Sequence, residues 1–130
     1  MFRLQIERVV SASHAIVIGG QLEEVHEHDW RVRVRVEGPE LDSEGLLCDF
    51  HALEQGLEEA LAPFEHTTLN NVPPFDDINP TAEHFAQHIA TRMRDRLPSN
   101  VLHLESSVTE APGCEATVRL AVTAAEARAE

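Results

Sequence analysis

The sequence predicts an α+β fold in which two helices pack on one face of a four-stranded antiparallel sheet. Two stretches near the start and two near the end alternate apolar and polar residues, as half-buried strands do. Between them lie two stretches in which apolar residues recur at helical spacing. The resulting order, β-β-α-α-β-β with two hairpins, indicates helices covering one side of a sheet.

The first strand is predicted over residues 2–14. Apolar residues alternate with polar ones from Phe2, and the same phase continues to His14, whose side chain is therefore expected to point inward. Residues 15–25 contain two glycines in a row and are predicted to form a loop that returns the chain for antiparallel pairing. The first two strands are expected to be neighbours.

The second strand begins with His26-Glu27-His28 and continues to residue 36. Alternate side chains share one face, so His26 and His28 lie on the apolar side. Imidazoles at alternate positions can reach one ion, and with His14 they would form a three-nitrogen zinc site with one open position, as in catalytic zinc centres. The pattern His-x-His alone is equally compatible with two half-buried histidines that bind nothing.

The opposite face of the second strand carries three arginines, Arg31, Arg33 and Arg35, which form the one local cationic stripe of the sequence. One interpretation is a solvated strand face or a subunit contact balanced by acidic neighbours. The other is a contact for an anionic substrate. The sequence leaves both interpretations open.

The first helix is predicted to start with Asp49 as its N-terminal cap, to carry apolar residues at helical spacing from Phe50 to Leu61, and to end at Pro63. Residues 64–78 lack a clear period and are predicted to form a loop that carries Glu65 and His66. The second helix is predicted to start with Asn79 as the cap and a proline at the first helical position.

Two further strands are predicted over residues 101–109 and 116–122, joined by a turn that contains Pro-Gly. Glu110 falls in the inward phase of the third strand. Residues 1–124 are expected to form a single domain, and residues 125–130 a polar C-terminal tail.

Composition excludes several classes of function. Acidic residues outnumber basic ones by 23 to 10, and the net charge of −13 disfavours nucleic acid and anionic membranes as partners. Lysine is absent, which excludes Schiff-base chemistry and a P-loop lysine. Two cysteines are too few for a disulfide framework. No membrane-spanning or signal-peptide pattern is present, so a cytoplasmic location is expected.

Six short motifs, in order over residues 2–122, resemble the pyruvoyltetrahydropterin synthase and carboxytetrahydropterin synthase family. Each motif is weak by itself, but together, in order and at workable spacing, they are specific. The motifs are Ser11-Ala12-Ser13-His14, His26-Glu27-His28, Asp49-Phe50, Glu65-His66 with Leu69-Asn70, Asn79-Pro80-Thr81-Ala82-Glu83, and Val108-Thr109-Glu110.

The resemblance implies the tunnelling fold of that family, in which subunits close their sheets into a barrel and the sites lie between subunits. A homo-oligomer, trimeric or hexameric, is therefore expected. The three histidines at positions 14, 26 and 28 would bind zinc. Glu110 would anchor a pterin through a two-point hydrogen bond, with help from Thr81. His66, paired with Glu65, would shuttle a proton.

The sequence departs from well-known family members just before the zinc motif. Where they carry a catalytic cysteine, this chain has Leu22. Glu23 is placed instead like the glutamate of a type-III variant that lacks the cysteine, and Glu24 is a neighbouring candidate for the base. Glu27, Trp30 and Ala111 also replace the usual residues.

The implied function is zinc-dependent cleavage of the side chain of 7,8-dihydroneopterin triphosphate to give 6-hydroxymethyl-7,8-dihydropterin, a folate precursor. One alternative is a 6-carboxytetrahydropterin synthase of queuosine biosynthesis. Others are a homologue that binds zinc and pterin without turnover, and a zinc-stabilised oligomeric module unrelated to pterins.

Overall fold

The computed structural model describes residues 1–122, so the predicted tail over residues 125–130 lies outside the described residues. Within these residues, seven strands and two α-helices follow one another, with one 3-10 turn over Leu69–Asn71. The elements are β1 (Phe2–His14), β2 (Val17–Ile18), β3 (Gln21–Leu22), β4 (His26–Gly38), α1 (Phe50–Leu61), β5 (Thr67–Thr68), α2 (Ala82–Arg94), β6 (His103–Ala111) and β7 (Cys114–Ala121).

The main sheet has five strands in the order β5-β1-β4-β6-β7. The four long strands pair antiparallel, as the two predicted hairpins require. β5 adds a two-residue parallel edge beside Ala12 and Ser13, and no sequence period could reveal so short a strand. The α+β fold class, with two helices on a mostly antiparallel sheet, is confirmed.

The core lies between the helices and the inner face of the sheet. Along β4, Trp30 and the three valines that follow it in phase are completely buried. α1 and α2 cover them with their apolar stripes, of which Leu57, Phe85 and Ile89 are fully buried. Burial of each such side chain stabilises the fold by about 1.5–3 kcal/mol. Within the described residues, neither helix is long and apolar enough to cross a membrane.

The helix starts agree with the sequence prediction at α1 and differ at α2. Asp49 caps α1 by accepting a hydrogen bond from the His51 amide (2.9 Å). α2 is capped by Thr81, whose hydroxyl accepts from the His84 amide (3.1 Å), and not by Asn79. The prediction of Asn79 as the cap is wrong because its side-chain amide binds the backbone of Val17 instead.

Gly38, at the far end of β4 from the histidines, is buried against the chain that leads into β6. A Cβ atom on Gly38 would lie 2.1 Å from the carbonyl oxygen of Asn100 and 2.8 Å from the Leu47 side chain. Because backbone cannot easily yield at such distances, only glycine fits at this position.

Candidate metal centre

Three histidine rings converge where β1 ends and β4 begins. The antiparallel register places His14 opposite His26, and His28 opposite Ala12. The ring centroids are 4.6 Å apart for His14 and His26, 5.2 Å for His14 and His28, and 4.6 Å for His26 and His28. The sheet therefore brings together the three histidines that the sequence singled out.

Backbone carbonyls fix how two of these rings face the centre. His14 Nδ1 donates to the Pro80 carbonyl (2.8 Å), and His26 Nδ1 donates to the Glu24 carbonyl (3.0 Å). Because a carbonyl only accepts, each neutral ring presents the lone pair of its Nε2 atom to the centre. The two Nε2 atoms are 3.0 Å apart, a distance at which two lone pairs repel unless a cation binds both.

Glu110 adds a carboxylate to this cluster. Its Oε1 atom lies 2.8 Å from His14 Nε2, 3.1 Å from His28 Nε2 and 3.9 Å from His26 Nε2. His28 Nε2 is buried and makes no hydrogen bond within the described residues. Burial lowers the pKa of His28 below its ordinary value, with the Glu110 carboxylate opposing the shift, which favours the neutral form that metals bind.

The donor set fits zinc. Three imidazole nitrogens and one carboxylate oxygen lie within 4.8 Å of one another, and zinc binds nitrogen and oxygen donors of these kinds in four-coordinate sites. Hydrogen bonds from the outer nitrogens of ligating histidines to carbonyls are the usual support of such sites. The unpartnered nitrogen of His28 is the atom that a metal would satisfy.

Trp30 forms the floor of the centre. Its ring packs edge-on against His14 (4.7 Å between centroids) and His28 (5.3 Å). Its Nε1 donates to the Ala12 carbonyl (3.0 Å), and its far side packs on Phe85 of α2. The helix layer thus supports the histidines through one buried indole.

Two asparagines hold the chain immediately after His14, and sequence reasoning missed this role. The Asn70 side chain accepts from the Ala15 amide (2.9 Å) and donates to the Ala15 carbonyl (2.7 Å). Asn79 does the same with Val17, at 2.8 and 3.0 Å. Nothing in local sequence spacing predicts contacts between residues more than 50 positions apart.

Glu23 lies beside the centre and is held in place. Its carboxylate accepts from the Ile16 amide (3.1 Å) and lies 3.6 Å from His26 Nδ1. Its own amide donates to the Ile16 carbonyl (3.0 Å), which closes the small β2–β3 hairpin. Glu24 contributes only its backbone carbonyl to His26 among the contacts of the described residues.

Glu65 and His66 lie at the sheet edge, beside Ser11 of β1. The Glu65 carboxylate accepts from the Ser11 amide (3.0 Å), and the His66 amide donates to the Ser11 carbonyl (2.6 Å). These contacts place the pair beside the backbone of β1 at the sheet edge, and neither side chain contacts the three histidines within the described residues. The His66 side chain is 77% exposed and borders a cleft of about 290 Å³ with Glu27.

The arginine stripe is largely neutralised by its neighbours. Arg33 donates to Glu7 (2.9 Å) and pairs with Glu115 (3.2 Å), and Arg35 is held by polar side chains of the flanking strands. Arg31 makes a longer ion pair with Glu7, at 3.8 Å. It also lines an open cleft of about 590 Å³, and the metal centre opens into the same cleft. Most of the stripe is therefore an ion-paired strand face.

Comparison with known proteins gives the same family along nearly the whole chain. The model of the 6-pyruvoyl tetrahydropterin synthase family matches residues 3–121. A dihydroneopterin monophosphate aldolase from Pyrococcus furiosus is 34% identical over 90 residues, 69% of this chain and 73% of that protein. A 6-carboxy-5,6,7,8-tetrahydropterin synthase from Bacillus subtilis is 29% identical over 110 residues, 83% and 73% of the two chains.

A solved structure shows the same fold. The crystal structure of 6-pyruvoyl tetrahydropterin synthase from Plasmodium vivax matches with a TM-score of 0.80 at 17% identity, over 93% of this chain and 98% of that chain. Two further structures of the P. vivax enzyme are variants in which a glutamate, described as a catalytic residue, is replaced by alanine or cysteine.

Proposed function

Because the chain belongs to the 6-pyruvoyl tetrahydropterin synthase family, whose members are pterin-processing lyases, we propose that it is a zinc-dependent lyase acting on the side chain of 7,8-dihydroneopterin triphosphate. The observation that carries the proposal is the convergence of three histidine rings, in which the Nε2 lone pairs of His14 and His26 face each other at 3.0 Å because both Nδ1 atoms donate to backbone carbonyls. A small-molecule pterin is the proposed partner.

In this proposal each residue keeps a distinct task. His14, His26 and His28 bind the zinc, which when bound polarises the side-chain oxygens of the substrate and stabilises negative charge on them. Glu110 accepts hydrogen bonds from the ring N–H and the exocyclic amine of the pterin. Thr81, the residue after the proline whose carbonyl orients His14, helps to position the ring.

We assign the proton transfer to Glu23. Its carboxylate lies 3.6 Å from His26 Nδ1. Glu23 directly follows Leu22, which stands where well-known members carry the catalytic cysteine and has no acid–base chemistry. The catalytic glutamate of the P. vivax relative supports a carboxylate in this role. The proposed product is 6-hydroxymethyl-7,8-dihydropterin, in keeping with the relative named as a dihydroneopterin monophosphate aldolase.

Glu65 and His66 would act on a neighbouring copy of the chain. They lie on the sheet edge, away from the histidines of their own chain, so their proposed role in proton transfer requires a homo-oligomer, trimeric or hexameric, in which β1 of one copy meets the site of the next. Among the described residues, β7 forms the opposite edge of the sheet, and an edge strand is suited to such pairing.

The experiment is incubation of the purified zinc-loaded protein with 7,8-dihydroneopterin triphosphate, followed by product identification. We expect 6-hydroxymethyl-7,8-dihydropterin. A 6-carboxytetrahydropterin product would favour the alternative supported by the B. subtilis relative, and no product would indicate a binding protein. Glu24→Gln is the matched control for Glu23→Gln, and full activity of the Glu23 variant would refute the assignment of the base.

A further inference from the structure

We propose that Arg31 binds the phosphate that is esterified to the substrate side chain, and that it thereby makes the site selective for phosphorylated pterins. The inference names a contact for the substrate of the proposed function and rests on that function. Arg31 lines the open cleft of about 590 Å³ that His28 of the metal centre also lines. Among the described residues around this cleft it is the only arginine, and the chain has no lysine.

Arg31 is paired more loosely than the arginine that follows it on the same face of β4. Arg33 donates to Glu7 at 2.9 Å and to Glu115 at 3.2 Å. Within the described residues, Arg31 has only an ion pair of 3.8 Å, and it shares the Glu7 carboxylate of that pair with Arg33. The Arg31 side chain is 53% exposed, so its guanidinium can donate hydrogen bonds to a phosphate.

The end of the β4–β6 ladder explains why Arg31 and the metal centre share one cleft. β6 pairs with β4 only as far as Thr109, opposite Arg31, so one cleft reaches both faces of β4 beyond that point. His28 lies three residues before Arg31, about 10 Å along an extended strand. In the proposed function the metal binds the side-chain oxygens of the substrate, and the ester phosphate is the next group along that side chain. The outer phosphates of a triphosphate then extend into solvent.

Three carboxylates around the cleft make a cation necessary for an anionic ligand. Glu110 faces the histidines, with Oε1 2.8 Å from His14 Nε2, and Asp29 accepts a hydrogen bond from the Ser11 hydroxyl. Glu27 is the third acid. These charges repel a phosphate everywhere except beside the arginine. Loss of that one guanidinium should therefore cost the phosphate its attraction and leave the repulsion.

The test compares binding of neopterin, neopterin monophosphate and neopterin triphosphate to the purified zinc-loaded protein. These are fully oxidised analogues of the proposed substrate, and pterin fluorescence measures their binding without following turnover. Arg31→Gln should weaken binding of both phosphorylated ligands by the same factor, roughly tenfold or more, as loss of a charge-assisted hydrogen bond predicts. Its affinity for neopterin should stay unchanged. Arg31→Lys, which keeps the charge, should retain most of the preference for phosphate.

Arg3→Gln is the matched control. Arg3 also makes one ion pair of 3.8 Å, with Glu37, and is 55% exposed, but it does not line this cleft. All three affinities should therefore be those of the wild type.

The outcomes separate this inference from the proposed function. If neopterin binds and Arg31→Gln leaves the phosphorylated ligands unaffected, or weakens all three alike, the phosphate contact is wrong and the proposed function stands. A larger loss for the triphosphate than for the monophosphate would overturn the assignment to the ester phosphate. A wild-type protein that binds none of the three would overturn the pterin site and this inference together.

Discussion

Replacing Asn70 with alanine should destabilise the protein much more than the same change at Asn79. Both side chains make one bond to an amide and one to a carbonyl of a single residue. Ala15, bound by Asn70, is 2% exposed, whereas Val17, bound by Asn79, is 46% exposed. The two pairs of bonds therefore differ mainly in whether water can replace the lost side chain.

Burial determines how much free energy of unfolding each variant should lose. Without Asn70, a buried amide and a buried carbonyl of Ala15 lose their partners, and each orphaned group costs about 1–3 kcal/mol, or roughly 2–6 kcal/mol together. Without Asn79, water can bind Val17, so only the net value of two bonds is lost, about 0.5–1.5 kcal/mol each and roughly 1–3 kcal/mol together.

Urea unfolding of the metal-free protein measures both losses. Trp30 is the single tryptophan and is buried against His14, so its fluorescence reports the unfolding of the region in question. The free energy of unfolding should fall more in Asn70→Ala, at an unchanged slope with denaturant. Equal losses, or a larger loss for Asn79→Ala, would refute the argument from burial.

Three further predictions concern residues outside the metal centre. Ser106→Ala should raise the free energy of unfolding by about 1 kcal/mol, because the Ser106 hydroxyl is buried without a hydrogen-bond partner in the described residues. A hydrogen bond from Arg119 lowers the pKa of Glu37 below its ordinary value of 4.5. The stability that Glu37 contributes is therefore present above that pH and is lost as the pH falls through the lowered pKa. Glu37→Gln should be less stable than wild type at neutral pH and should lose less free energy of unfolding on acidification. Burial raises the pKa of the Cys48 thiol to about 11, so a thiol reagent at pH 8 should modify only the exposed Cys114 in the native protein and both cysteines after unfolding.

Controls for these three come from neighbouring side chains. Ser107, next in the chain, has a hydroxyl bonded to Arg35 (2.9 Å) and Thr117 (2.7 Å), so Ser107→Ala should destabilise where Ser106→Ala stabilises. Arg119→Gln should reproduce the acid behaviour of Glu37→Gln. A destabilised Ser106 variant, an unchanged acid profile, or two reactive thiols in the native protein would each contradict its prediction.

The strands were predictable because one buried face imposes a period of two. β1 has the predicted bounds, and β4 begins at His26 as predicted. Since antiparallel pairing follows from the return loop, the meeting of His14 with His26 and His28 could also be predicted. β5 could not be predicted, because its two residues pair parallel with a strand some 55 positions earlier and carry no periodic pattern.

The remaining details of the centre depend on contacts that have no local sequence pattern. Asn79 has the ideal residue type for a helix cap, but tertiary contact with Val17 decides its role. The place of Glu110 among the histidines depends on a shift of register at the end of β6, and alternation gives only its face. The roles of Glu23, Glu65, His66 and Thr81 stay predictions until turnover is measured.

Because Gly38 lies far from the histidines, a substitution there should affect the folding of the protein without changing its metal centre. Gly38 and His28 are ten residues apart on β4, about 33 Å at the rise of an extended strand. Any side chain at position 38 collides with the Asn100 carbonyl, while the histidines at the other end of the strand keep their neighbours. A gene encoding Gly38→Ala should therefore behave as a temperature-sensitive allele, with a normal metal centre in the molecules that fold and a shortage of such molecules when the temperature rises.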